Sequence, residues 1–458
     1  MSSCARPRAI SSADRALLAA SAIVLGYAIQ IRDGFYDPVA LGVLALAILL
    51  ATAGLTRRGA WLLPRAGEPL VAATLGAGLI SSLLMLATTR PAYEIADPLP
   101  SQHPWYLAGL AMSGALLGLI AIDDRRRARV WFPALLVTFA LLGTWLLHQS
   151  PSPRVDVITV QEYAVDAVVS GRSPYSMTFR NIYDNAGIFY APGSVSGARV
   201  QFGLPYPPLS LLMILPAELL LKDVRYAQLL ALIAAAVGIG YSSRGRVAPL
   251  AAALLLFTPR TFFVLEQGWT ESLALCWLAL TCLAAVRRWD TRGPFLGLLL
   301  AIKQHMAIAL LFAPWFNDDP SDRRETFRRV GLALLIAALV TVPFVLLDPR
   351  GFWHSAVALQ FHEPFRTDSL SVLSLLAHQG WTIPSAVLTG ATLAALAAGI
   401  AVAFRFAPRT PAGAALALGF TFLLMFAFSK KAFCNYYFFV IGALVTAVAA
   451  DRSSSTSA

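Results

Sequence analysis

The stretch Pro153–Tyr175, PRVDVITVQEYAVDAVVSGRSPY, lies in a long polar segment between apolar runs and decides how the chain is read. At about 100° per residue, Asp156, Thr159, Tyr163, Asp166 and Ser170 share one narrow face of a helix. Val157, Ile158, Val160, Ala164, Val165, Val168 and Val169 cover much of the remainder, so the helix is amphipathic and suited to a membrane interface. Gly171 and Pro174 close it, because neither continues helical geometry. A carboxylate is thereby held at the boundary between water and lipid.

Composition sets the class around this helix. The 458 residues are 57% hydrophobic and 13% charged, against about 25% charged in a soluble domain. Mean hydropathy is +0.66, and apolar runs recur at lengths near the roughly 20 residues of a membrane span. The net charge of +11 reflects Arg and Lys in cytoplasmic loops, not a nucleic-acid surface. Arg57/Arg58/Arg65, Arg125/Arg126/Arg127/Arg129 and Arg323/Arg324/Arg328/Arg329 are the main clusters. Cys4, Cys276, Cys282 and Cys434 show no metal-ligand spacing, and no disulfide follows from them. Arg6, Arg8 and Arg15 precede an apolar run without a small-residue cleavage site, which reads as a retained first span.

Length and hydropathy give about 14 spans in an all-α polytopic bundle of the cytoplasmic membrane. They fall near 16–31, 39–55, 70–87, 105–122, 130–147, 207–221, 226–241, 247–264, 269–286, 295–315, 330–347, 383–404, 412–428 and 436–449. The expected division is N-terminal membrane helices over 1–129, a catalytic membrane core over 130–371, and C-terminal helices with a short polar tail over 372–458. With the N-terminus inside, loops 149–204 and 348–369 both lie outside and together form the site. Arg244/Arg246 and Arg287/Arg288/Arg292 also fall outside on this count, against the positive-inside rule, which marks one span in the middle as miscounted or half-length. Trp269, Trp315 and Trp353 read as an interfacial aromatic belt.

The order Asp156, amphipathic helix, Gly171-Arg172-Ser173-Pro174-Tyr175 and Tyr206-Pro207-Pro208 resembles bacterial polytopic glycosyltransferases of the GT-C superfamily. Gln267-Gly268, Ala301-Ile302-Lys303 and Phe365-Arg366-Thr367-Asp368-Ser369-Leu370-Ser371 extend the resemblance over about half of the chain, roughly from Arg154 to Ser371. It makes the four N-terminal spans look like an addition. It implies a polyprenyl-phosphate-linked sugar as donor, a lipid or cell-envelope glycan as acceptor, and a mannosyl- or pentosyltransferase-like reaction on the extracytoplasmic side. Glu266 and Glu271 flank Gln267-Gly268 where simpler polar residues are expected.

Inverting transfer needs a base for the acceptor hydroxyl and cations for the leaving phosphate. Asp156 is the expected base. It could equally cap the helix that follows it. Asp166 is the second acid/base candidate, though a solvated place on the polar face also accounts for it. Arg366, His362, Lys430 and Lys431 are the expected donor-phosphate ligands, the two lysines also fitting a snorkelling span end. Tyr175 and Tyr206 belong to the substrate loop. Lys303 and His305 lie inside an apolar span, where Lys303 either meets substrate or pairs with Glu271 or Glu266. No acidic pattern fixes a metal site, and a divalent cation stays optional. A secondary transporter would also carry buried charges, but repeat symmetry and matched interrupted helices are missing. A lipid-linked polymer ligase or assembly protein shares the loops and differs in its donor.

Overall fold

The computed structural model describes residues 9–65, 67–95, 99–183 and 186–450. Among the described residues, seven helices are long and apolar enough to cross a membrane: Ser12–Ile31, Pro38–Leu55, Glu68–Thr88, Pro104–Ile122, Arg127–Gln149, Arg323–Leu347 and Ser385–Phe406. Seven shorter apolar helices accompany them: Pro208–Leu221, Arg225–Gly240, Val247–Phe257, Glu271–Val286, Gln304–Phe316, Pro411–Ala427 and Cys434–Ala449. Each of the apolar stretches read from the sequence is therefore helical. The protein is a multi-pass membrane protein.

Two stretches expected to be continuous are broken. Val247–Phe257 stops at Thr258-Pro259-Arg260, and Thr261–Glu266 resumes the run. Pro259 supplies no N–H to the ladder and crowds the preceding turn. Arg292–Leu300 stops before Lys303, which is extended at φ −145° and ψ 145°, and Gln304–Phe316 continues as a tighter 3₁₀ winding. Broken membrane helices are tolerated where the freed backbone lines protein or a cavity.

Hydrogen bonds between connections show which ends share a face. At one face the Arg225 guanidinium donates to the Ser150 carbonyl at 2.8 Å, and Tyr93 N–H donates to the Glu266 carboxylate at 2.6 Å. There too Tyr36 N–H donates to the Asp368 carbonyl at 2.8 Å, and Arg366 N–H to the Lys430 carbonyl at 2.9 Å. At the opposite face Tyr241 Oη donates to Ala128 O at 2.8 Å, Arg287 to Tyr241 O at 2.7 Å, and Arg292 meets Asp318 at 3.2 Å. Arg244/Arg246 and Arg287/Arg288/Arg292 thus sit in connections joined to the one carrying Arg125–Arg129, which corrects their expected exterior placement.

The cause is visible in two apolar runs that do not traverse. Pro208–Leu221 leaves the long loop and returns to the same face, where Arg225 reaches Ser150. The broken pair Arg292–Leu300 and Gln304–Phe316 forms a hairpin: Arg292 donates to Phe316 O at 3.3 Å, so both arms end together. Hydropathy counted each as a crossing, and the two errors cancel. Loops 149–204 and 348–369 therefore still meet. Ser355 Oγ accepts from Gly203 N–H at 2.9 Å and donates to Tyr175 O at 2.7 Å, clipping them together.

The first loop carries a helix and a small sheet. Its helix runs Asp156–Val169 and buries Ile158, Val160, Ala164 and Val165, while Val169 stays exposed. A small antiparallel sheet of Phe179–Arg180, Val195–Ser196 and Arg199–Val200, with the last strand central, follows it. Val160, Phe179, Tyr190, Val200, Phe202 and Leu359 close a second hydrophobic cluster beneath the sheet. The aromatic belt is only partly as read: Trp353 is exposed, Trp315 is buried in the hairpin, and Trp269 turns inward.

Candidate active site

A cavity of about 400 Å³ opens between the two loops and the helix ends beneath them. Asp156 stands at its wall as the first residue of the loop helix. The capping position belongs to Val155, whose side chain cannot cap, so the helix start does not account for the carboxylate. Tyr183 Oη accepts from the Asp156 N–H at 3.4 Å, and Tyr183 stacks on Phe189 with centroids 3.9 Å apart. Burial pushes the Asp156 carboxyl above its ordinary value, against the pull of the Lys431 charge and the hydroxyls of Tyr183 and Tyr190. Burial, and then the Asp156 charge, hold both phenols well above the usual tyrosine range, so they stay protonated.

Lys303, Arg366 and Lys431 line the same cavity. Each already meets a carboxylate. Lys303 Nζ donates to Glu271 Oε1 at 2.6 Å, and Asn435 Nδ2 donates to the same oxygen at 2.7 Å. The Lys303 ammonium also lies 5.5 Å from the Tyr206 ring centre and 5.8 Å from that of Tyr436. Lys431 meets Glu363 at 2.9 Å. Burial acts to lower the Lys431 pKa, but Glu363 and the nearby Tyr436 outweigh it and hold the ammonium above its usual value. Arg366 grips Asp368 through two bonds of 2.8 and 2.7 Å and lies 4.7 Å from the rings of both Phe189 and Phe433. Its fork joins three loops as a cation–π clasp, leaving Nη1 outside the Asp368 contact.

The structure brings Asp156, Tyr206, Lys303, Arg366 and Lys431 to one cavity and leaves other candidates outside it. Asp166 is exposed, on the part of the helix nearest Glu162 and Glu218. His362 is exposed, with Nδ1 2.8 Å from Ala358 O. Lys430 donates to Glu363 O at 2.8 Å and to Phe361 O at 3.3 Å, so it ties two loops together. Tyr175 is buried, donating to Tyr206 O at 3.0 Å, and supports the wall without lining it. His305 packs edge-on to Phe422 at 5.2 Å. Glu271 takes Lys303 as expected of an internal pair, whereas Glu266 serves the backbone of Tyr93 and Glu94.

Sequence reasoning missed Tyr183, Tyr190, Arg154, Asp33 and Glu94, all of which line the cavity. Among the described residues, Asp156, Arg154 and Glu94 have no ion-pair partner within 4.0 Å. Asp33 and Glu94 come from the connections of the N-terminal helices, which therefore contribute to the site's wall. No group of three or more His, Cys, Asp or Glu side chains among the described residues could hold a metal ion.

An all-helical membrane body with a charged cavity beneath paired loops defines a class, and a comparison assigns it. The model of Glycosyltransferase family 87, GT87, matches residues 204–452, more than half of the 458. The chain belongs to this family of polytopic GT-C-type membrane proteins and is a membrane glycosyltransferase. No curated protein and no solved structure matches it significantly. Lys303, Glu271, Glu363, Arg366 and Lys431 fall inside the match, while Asp156, Tyr183 and Tyr190 precede it.

Proposed function

We propose that the protein transfers a single sugar from a polyprenyl-phosphate donor to a lipid or cell-envelope glycan on the extracytoplasmic side of the plasma membrane. The observation that carries this reading is one cavity lined by Asp156, a carboxylate outside any ion pair among the described residues, together with Lys303, Lys431 and Arg366. Asp156 accepts the proton of the acceptor hydroxyl while that oxygen forms its bond to the anomeric carbon. The bond from the anomeric carbon to the phosphate oxygen breaks on the far face, which inverts the configuration. The electron pair leaves with the lipid phosphate. Lys431 and Lys303 stabilise that charge, each with donor capacity beyond its carboxylate, and Nη1 of Arg366 adds to them. Arg154 extends the positive field at the cavity wall.

The carboxyl's direction of shift gives a pH signature. A base must be deprotonated, so kcat/KM rises with pH through an acid limb set above the ordinary aspartate value of about 3.9. Lys431 pulls that value down, so Lys431→Met should move the limb to higher pH besides lowering the rate. A limb that stays in place would separate Lys431 from Asp156.

Removing the two non-traversing runs from the fourteen apolar helices among the described residues leaves twelve crossings in this reading, with the arginine clusters inside. Single cysteines at Ser196 and His362, in a cysteine-free background, should label with an impermeant thiol reagent in intact cells. Cysteines at Arg244 and Arg288 should label only after lysis. Labelling of the latter pair in intact cells would refute this orientation and the outer site with it.

A further inference from the structure

One wall of the cavity belongs to segments that precede the family match. Asp33 and Phe35 come from the connection between Ser12–Ile31 and Pro38–Leu55, and Tyr93 and Glu94 follow Glu68–Thr88. Residues of the matched core hold both in place. Glu266, fully buried, accepts from Tyr93 N–H at 2.6 Å and Glu94 N–H at 2.9 Å. Arg260 pairs with Asp33 at 2.6 Å and donates to Arg90 O at 3.0 Å. A buried carboxylate satisfied by two successive backbone N–H groups fixes that backbone, because leaving it unsatisfied is costly. This wall is built into the fold.

Its chemistry differs from that of the wall carrying Lys303, Lys431 and Arg366. Phe263 meets Trp269 edge to face with centroids 5.2 Å apart, and Tyr93 lies 6.3 Å from Phe263. The Gln267 amide and the Glu94 carboxylate sit beside these rings. Arg260 is engaged by Asp33 and a backbone carbonyl and lies 5.7 Å from the Phe263 ring centre, and Arg90 lies 5.5 Å from that of Tyr93, yet Glu94 has no ion-pair partner within 4.0 Å among the described residues. Aromatic faces receive the C–H side of a sugar ring, and carboxylate and amide oxygens accept its hydroxyls. A few placed polar groups in an aromatic-lined pocket are what fix a ligand's orientation. An anionic group at the same place meets the Glu94 charge, which no cation neutralises at contact distance, and this disfavours it.

We propose that Tyr93, Glu94, Gln267 and Trp269 form the acceptor subsite, and that it takes an uncharged polyhydroxylated head group and excludes an anionic one. This rests on the transferase reading and adds the acceptor's chemical class to it. Glu94 and Trp269 are specificity residues here, with the acceptor hydroxyl presented toward Asp156.

The test uses the full chain in nanodiscs of uncharged lipid at neutral pH. Octyl β-glucoside and octyl β-glucuronide below their micellar concentrations serve as the probes, with empty discs subtracted. The glucoside should bind about tenfold tighter than the glucuronide, a difference of about 1.4 kcal/mol. Glu94→Gln should remove most of that ratio by admitting the glucuronide, and Trp269→Ala should weaken the glucoside with little change in the ratio. Equal binding of both probes by the wild type, or an unchanged ratio in Glu94→Gln, overturns the assignment. Binding of decaprenyl phosphate is measured in parallel and should be unaffected by Glu94→Gln. Its absence in the wild type would count against the donor reading while leaving the probe discrimination to decide this one.

Discussion

Asp156→Asn is expected to abolish sugar transfer while leaving the protein inserted and folded. Asn matches Asp in size and keeps the contact of its own N–H with Tyr183 Oη. Asp156 occupies the first helical position and not the cap, so the structural loss is confined to a weakened helix-end interaction of about 0.3–1 kcal/mol. Loss of a general base costs far more, about 10²–10⁴-fold in rate. Asp166→Asn, on the exposed part of the same helix, should leave turnover within about twofold of wild type, as a solvated surface change does. Near-normal turnover of Asp156→Asn would remove it as the base. A dead Asp166→Asn would move the assignment along the helix, despite its distance from the cavity.

Lys303→Met is expected to cost the most stability of any single change at the site. It strands Glu271, whose side chain is 3% exposed, with Asn435 as its remaining donor. Glu271 Oε2 has no hydrogen-bond partner among the described residues to take up the charge. Breaking a buried pair from one side costs about 3–5 kcal/mol, because an uncompensated charge remains in a low dielectric. Adding Glu271→Gln removes that charge, and the double variant should recover most of the lost thermal stability. It should not recover transfer, because the ammonium is also proposed to hold the donor phosphate. A single variant as heat-stable as wild type would end the structural claim. A double variant with normal transfer would end the chemical one.

Hydropathy made the helices legible because apolar length is a local property, and every apolar run in the chain is a helix. Direction is not local. Pro208–Leu221 and the Arg292–Phe316 hairpin are as apolar as a crossing helix, and only contacts such as Arg225 to Ser150 and Arg292 to Phe316 reveal that they turn back. The misplaced Arg244 and Arg287 were the sequence's own signal of that error. At the site, helical periodicity put Asp156 and Asp166 on one face but said nothing of depth. Ten residues advance a helix by about 15 Å, enough to carry Asp166 out of the cavity. Lys431 lines the cavity and Lys430 does not, because neighbours in the non-helical 429–433 link point different ways. Tyr183, Tyr190 and Glu94 stand on loops with no period to read, and distant partners fix them: Glu266 holds the backbone of Glu94 from 172 residues away.

The central claim is that a lipid phosphate, and not a nucleotide, delivers the sugar to Asp156. Purified protein in liposomes should be offered radiolabelled polyprenyl-phospho-mannose, its pentose counterpart and the corresponding nucleotide sugars, with total envelope lipid extract as acceptor. Label should pass from one of the polyprenyl monophosphate donors into a glycolipid or glycan, require Asp156, and release polyprenyl phosphate in equal amount. Transfer from a nucleotide sugar in the absence of any polyprenyl phosphate would contradict the account.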